Sequence, residues 1–165
     1  MMNKEYEKRM QDLLKEEYPA YLNEMEHEPR RGFRVNTLKI QPDEFFELSG
    51  FKKEVTPFAS NSYYLIDEAS VGKSPLHTSG LIYIQEPSAS SVVPLLQIEK
   101  GMKVLDLCAA PGSKSTAIAD LLQNDGLLVS NVINPKRAKI LKENTIRWGS
   151  ANTLEIGRAS CRERV

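Results

Sequence analysis

"VLDLCAAPGSKSTAIA", residues 104–119, passes from strand formers through an acid and a cluster of small residues into helix formers. The slightly longer run "MKVLDLC" is almost continuously apolar, as expected of a parallel strand covered on both faces. Ala117, Ile118, Leu121 and Leu122 then fall on one face of a helix. A turn from the carboxyl end of a strand to the amino end of a helix lies where open α/β sheets take their ligands. Small residues let a ligand approach the backbone there, and free amides with the positive helix end favour a carboxylate or phosphate. Two nucleotide fingerprints fail on residue identity. A P-loop needs Gly, four residues and then Gly-Lys, but Leu107 stands five before Gly112 and Ser113 follows it; a dinucleotide fingerprint needs three glycines, and the stretch holds only Gly112. A turn that merely joins strand to helix is the plain alternative, and it leaves Ala109, Ala110, Pro111 and Gly112 with Lys114 beside them poorly explained.

Outward from this turn the chain alternates. "LIYIQ" reads as extended, and "EPSASSVVPLLQI" as a helix with Pro87 near its first turn and a kink at Pro94. "GLLVSNV" is the next strand after the turn, and Asn134 with Pro135 opens a helix to about Trp148. Strand and helix in alternation predict right-handed βαβ units and an open parallel sheet over residues 76–154. Residues 1–75 differ in rhythm and predict a small α+β domain. Tyr6, Met10, Leu13, Leu14 and Tyr18 recur at helical spacing, giving an amphipathic helix that ends near Pro19. "GFRVNTLKI" is a strand, "QPDEFFELSG" a helix with Pro42 at its start and Gly50 past its end, and "KKEVTPFASNSYYLI" holds two short strands. "DEASVGKSPLH" serves as the linker.

Composition narrows the classes. Twenty-two Lys plus Arg balance 22 Asp plus Glu, so global charge gives no argument for nucleic acid. No apolar run approaches the roughly 20 residues of a membrane span, and the charged amino terminus does not suit a signal peptide, so a cytoplasmic monomer is expected. Cys108 and Cys161 are far apart with no C-x-x-C, and His27 and His77 are isolated, so neither metal nor disulfide is expected. "EIGRASCRERV", 155–165, has neither helical nor alternating period and resembles a translated sequencing adapter. The expectation is a non-native tail, in which Cys161 carries no chemistry and family sequence ends near Leu154.

Three stretches carry a resemblance. "DLCAAPGSKST" is similar to the first cofactor motif of the RsmB/RsmF-type (Sun family) RNA cytosine-5 methyltransferases; "RRGFRVNTLK" and "GLIYIQEPSAS" resemble the amino-terminal domain of the RsmF branch and the lead into its catalytic domain. The resemblance implies a Rossmann-like class I methyltransferase sheet, S-adenosyl-L-methionine as cofactor, and RNA as substrate, with ribosomal RNA favoured over tRNA. It further implies that Cys108, Ala109, Ala110, Pro111, Gly112, Ser113 and Lys114 wrap the methionine end of the cofactor. Asp106 would order the turn, and Lys114 would meet a carboxylate or a phosphate.

Two implications are more pointed. Where the family places an acid for the ribose hydroxyls, this chain has Val132, which should weaken binding. The family's nucleophile is a cysteine that adds to carbon 6 of the base, and Cys108, ending a buried strand beside the cofactor turn, is a bystander. The attacking cysteine would lie beyond Leu154, so no catalytic residue is assigned and the fragment is expected to be inactive. Two other classes compete. A non-catalytic RNA-binding module would use Lys136, Arg137, Lys139, Lys142 and Arg147 along one helix; a nicotinamide enzyme is opposed by the glycine count. Glu86 with Gln85 is a further candidate pair, for which helix initiation at Pro87 is the simpler role.

Overall fold

The computed structural model describes residues 3–66 and 71–157. Residues 67–70 of the expected linker, and 158–165 with Cys161, lie outside them.

The chain opens with α1 (Lys4–Leu14), capped by the Asn3 side chain, a short 3-10 turn, and α2 (Tyr18–Glu26). Pro19 does not end the helical segment as expected. It sits in the first turn of α2, where its missing N–H has no helical acceptor to lose. The apolar stripe of α1 finds little cover: no residue of α1 is buried, and Leu13 is largely exposed.

Strand β1 (Gly32–Val35) is the centre of an antiparallel sheet, flanked by β2 (Ser62–Tyr64) and β3 (Ile82–Ile84). Alternation along β1 sends its side chains to two cores. Phe33 and Val35 face α3 (Pro42–Ser49), where Phe45 lies buried and Phe46 and Phe51 pack around the Phe33 ring. Arg34 faces the other way, into the second half of the chain. Three sequence expectations change here. "LIYIQ" supplies β3, which pairs antiparallel with β1 in register Phe33↔Ile84 and not with the parallel sheet. The stretch after it forms two 3-10 turns, Ser88–Ser91 and Pro94–Leu96, instead of one kinked helix, because Pro94 interrupts the amide ladder. Of the two strands expected between residues 52 and 66, one forms; Val55 makes an isolated bridge to Tyr63.

The second sheet is parallel in the order β4 (Lys103–Asp106), β5 (Leu127–Asn131), β6 (Thr153–Ile156). Its crossovers are α5 (Ser113–Leu122) and α6 (Pro135–Trp148), the latter capped by the Asn134 side chain and stopped by left-handed Gly149. Both helices cover one face, where Ile118, Ala119, Leu122, Leu128 and Trp148 form the core. The opposite face stays open. Leu105 and Leu154, paired in register through Val129, are exposed, so β4 is not covered on both faces as its composition suggested. Strand β6 also continues past Leu154: Glu155 pairs with Ser130 and Ile156 with Asn131, and Glu155 Oε1 accepts from Thr145 Oγ1 at 2.7 Å. Backbone pairing is indifferent to side-chain period, which is why these two residues carried no strand signal.

A set of polar side chains joins the two halves. Arg34 donates to Asp120 and, at 2.6 Å, to Thr116 Oγ1; Asn36 Nδ2 donates to Gly80 O and to Trp148 O at 2.7 and 2.8 Å. Lys39 Nζ donates to Ser79 O and Arg147 O at 2.7 and 2.6 Å. The carbonyls at the end of α6, which lack helical partners, are thus capped by residues more than a hundred positions earlier. "RVNTLK" is the seam of the molecule.

Candidate cofactor turn and its supports

The turn between β4 and α5 is held from several sides. Asp106 accepts from Cys108 N at 3.2 Å and from Ser115 Oγ at 2.7 Å, and Ser130 Oγ donates onward to Ser115 Oγ at 3.2 Å. Asp106 therefore ties the start of the turn to α5, the role that the family resemblance implied for it. From the neighbouring strand, Asn131 Nδ2 donates to Leu107 O at 3.0 Å and Asn131 O accepts from Ala109 N at 3.1 Å. From α6, Arg137 Nη2 donates to Ala110 O at 2.6 Å and Asn144 Nδ2 to Pro111 O at 2.7 Å. The 110–111 peptide is cis.

Backbone conformation favours glycine at 112, and the space beside it is close. Its φ of +113° belongs to the left-handed side of backbone space, and a Cβ would stand 3.2 Å from Leu141 Cδ1 and 3.4 Å from the Asn144 Cβ. The small residues matter equally: Ala109 and Ala110 are buried against Val132 and Leu141, which brings the turn onto α6. Among the described residues, the amides of Ala110, Gly112, Ser113 and Lys114 have no protein acceptor. With the amino end of α5 beside them, these free donors suit an anionic group.

Beside the turn lies a cleft of about 230 Å³ whose lining includes Cys108, Ala110, Val132 and Arg137. The structure thus gathers Cys108 to Lys114 on one turn, with Pro111 and Lys114 exposed and Ser113 half-buried. Cys108 corrects one expectation. It is exposed, two residues beyond the end of β4, and lies on the wall of the cleft. Val132 sits at the end of β5 with 9% of its surface exposed, its side chain shared between the cleft and the Ala109–Leu141 contact.

Other candidates resolve into structural roles. Glu86 accepts from Ser88 N at 3.0 Å, Ser88 Oγ at 2.6 Å and Ala89 N at 2.9 Å; these bonds, from Ser88 first, hold its carboxyl below the usual range. It caps the first 3-10 turn, while Gln85 is buried alongside. Of the five basic residues on α6, Arg137 is tied to the turn and Arg147 to His77, with Nη1 at 2.8 Å from His77 Nε2 and 2.7 Å from His77 O. Burial, then the Arg147 charge, pushes the His77 imidazole down. No cluster of His, Cys, Asp or Glu suited to a metal occurs among the described residues, and no described helix is long and apolar enough to cross a membrane.

What the sequence did not single out is the support behind the turn. Arg34, Asn131 and Asn144 are each one polar residue in an otherwise ordinary helix or strand that only tertiary partners identify, and Arg137, read from sequence as one basic residue of a possible RNA-tracking helix, holds the turn instead.

Comparison with known proteins agrees with this geometry. Residues 2–87 match the family model described as the N-terminal domain of 16S rRNA methyltransferase RsmF, and residues 93–163 match that of 16S rRNA methyltransferase RsmB/F. The chain is 37% identical over 161 residues to the ribosomal RNA small subunit methyltransferase F of Shewanella baltica (strain OS185), covering 86% of this chain and 33% of that protein. With the Shewanella piezotolerans protein of the same name it shares 42% over 134 residues, covering 74% and 28%. The chain thus spans about a third of the length of the curated relatives it matches. Among solved structures, a methyltransferase homolog protein from Pyrococcus horikoshii superposes with a TM-score of 0.84 at 31% identity, over 94% of this chain and 52% of that one. NSun6 from the same organism, solved with SFG, superposes at 0.81 and 17% identity over 94% and 65%, which speaks for the fold. The two family models, matched in order over the antiparallel unit and the parallel sheet, show that this chain belongs to the RsmF family of 16S rRNA methyltransferases.

Proposed function

We propose that the chain carries the cofactor-binding part of an S-adenosyl-L-methionine-dependent RNA (cytosine-5) methyltransferase of the cytoplasm, with ribosomal RNA as substrate. The observation that carries this reading is the set of four unpartnered amides on the Cys108–Lys114 turn, at the carboxyl edge of a parallel sheet. Such donors fit the carboxylate at the methionine end of the cofactor, which when bound supplies a sulfonium methyl group. In this reading Cys108, Ala109, Ala110, Pro111, Gly112, Ser113 and Lys114 hold that end, chiefly through the backbone, and Arg137 and Asn131 keep the turn's carbonyls turned away from it. Cys108 stands on the cofactor side of the cleft and is not the nucleophile, so the 165-residue chain alone is expected to transfer no methyl group.

The fit is incomplete at one position. Val132 offers no acceptor to the two ribose hydroxyls, whereas a carboxylate would make two charged hydrogen bonds of about 1.5–3 kcal/mol each. Val132→Glu should tighten S-adenosyl-L-methionine binding at least about tenfold, the equivalent of about 1.4 kcal/mol. Equal affinities by calorimetry would remove the ribose assignment from this strand end. Incubation with labelled S-adenosyl-L-methionine and separate ribosomal RNA and tRNA tests the rest. Incorporation that Cys108→Ala abolishes would overturn the bystander role, and incorporation into tRNA alone would overturn the substrate.

The RNA-module reading gains little support. Two of its five basic side chains, Arg137 and Arg147, are engaged within the protein, leaving Lys136, Lys139 and Lys142 on the exposed face of α6.

A further inference from the structure

Three carbonyls of the turn receive side-chain donors from distant elements, and the Thr116 hydroxyl serves Gly112 O and Ser113 O from within α5. Ala110 O receives Arg137, Pro111 O receives Asn144, and Ser113 O receives Arg34 Nη2 at 3.1 Å. Peptide planarity gives these bonds a second effect. The C=O of one residue and the N–H of the next belong to one rigid plane and point in opposite directions. Drawing Pro111 O toward α6 therefore aims the Gly112 N–H away from α6, and holding Ser113 O toward Arg34 turns the Lys114 N–H away from that guanidinium. Both amides belong to the unpartnered set.

Asn144 is fixed in turn. Its Oδ1 accepts from Arg147 Nη2 at 2.8 Å, and the other guanidinium nitrogen grips the backbone oxygen and imidazole of His77. His77 belongs to α4 (Pro75–Thr78), whose amino end is capped by the Ser74 side chain, so the chain of contacts runs from the amino-terminal half to the turn. The amide orientation of Asn144 follows from this: the oxygen is taken by Arg147, and the nitrogen is left for Pro111.

We infer that Asn144 is a positioning residue for the cofactor turn: held by Arg147 against His77, it anchors Pro111 O and so aims the Gly112 amide at the amino-acid end of the ligand. The inference rests on the reading of the turn given under the proposed function. It assigns Asn144 no contact with ligand. It predicts instead a selective effect, confined to ligands that carry the amino-acid end.

The test uses the isotope-labelled chain and two probes that share an adenosine moiety. S-adenosylhomocysteine carries the amino-acid end, and 5′-methylthioadenosine lacks it. Asn144→Asp keeps the size and the Arg147 contact but turns the donor facing Pro111 O into an acceptor. Amide spectra should show S-adenosylhomocysteine binding weakened about tenfold, a loss the size of one well-made hydrogen bond, with methylthioadenosine affinity unchanged. Glu143→Gln, its exposed neighbour, should alter neither. Unchanged binding of both probes overturns the inference, and so does equal weakening of both, which would mean a general structural role. Asn144→Ala removes the donor without adding charge and carries the same expectations if the aspartate prevents folding. If the unaltered chain takes up neither probe, the reading of the turn itself fails. The unliganded spectrum then decides about Asn144: a Gly112 amide resonance that stays in place in both variants overturns its role, and one that moves in both supports it.

Discussion

Replacing Arg34 by methionine is expected to cost about 3–5 kcal/mol, the largest loss from any single side chain at the seam, read as a fall in the urea midpoint. Arg34 is 2% exposed and Asp120 5%, and the guanidinium meets the carboxylate in the interior. Trp148 Nε1 donates to Asp120 Oδ1 at 2.9 Å, Asn61 Nδ2 to Oδ2 at 3.1 Å, and the guanidinium lies 4.9 Å from the Trp148 ring. Removing the cation strands an acid among these groups. Burial already pushes the Asp120 carboxyl up to about 6 against the pull of Arg34, while burial drives the guanidinium down. An acid with a raised folded-state pKa binds its proton more tightly in the native chain than in the unfolded one. Its contribution to stability is full below about pH 4 and declines as the pH rises to about 6. Without Arg34 the window moves upward, so Arg34→Met should regain part of its stability on acidification from pH 7 to 5. A variant equally unstable at both values would show that Asp120 is not the stranded group. Adding Asp120→Asn to Arg34→Met should cost less than the two single changes summed, because the partners share one network.

Gly80→Ala should rank next, at about 2 kcal/mol or more. Gly80 has φ +73°, and a Cβ there would stand 2.1 Å from Arg147 O and 2.9 Å from Arg147 C. Backbone cannot yield as a side-chain tip can, so the end of α6 must move. That movement strains the bonds from Asn36 to Trp148 O and from Lys39 to Arg147 O. Gly50 provides the comparison, since it has φ +69° with nothing within 4 Å of an added Cβ. Gly50→Ala carries the left-handed strain alone, about 1–2 kcal/mol. A melting midpoint for Gly80→Ala no lower than that for Gly50→Ala would mean that the corner packs more loosely than its distances indicate.

The parts of this fold that were legible in the sequence are those written in local chemistry. Pro42 with Gly50 brackets α3, and Asn134 with Pro135 opens α6, because caps and left-handed stops depend on neighbouring residues only. The Cys108–Lys114 turn was legible for a similar reason: small residues and a proline between an apolar strand and a helix have few other uses. What escaped depends on distant partners. "LIYIQ" has a strand composition, yet nothing in it says that β1 is its neighbour or that the pairing is antiparallel. The openness of the Leu105 face was hidden because apolarity records what a strand can tolerate and not what covers it. Cys108 looked buried by extension of the run before it, whereas the strand ends at Asp106 and the chain bends outward. Arg34 in "GFRVN" appeared to be an ordinary strand residue because its partners, Thr116 and Asp120, lie more than eighty positions on.

The bond from Asn36 to Trp148 O spans 112 positions, and this has a consequence for how the molecule is made. A ribosome adding about 5–20 residues per second needs on the order of ten seconds to travel from Asn36 to Trp148. For the first 86 positions after Arg34 the arginine of β1 has no Asp120 to meet, and the nascent amino-terminal unit then waits, half-finished, for α6 to follow α5 and close it.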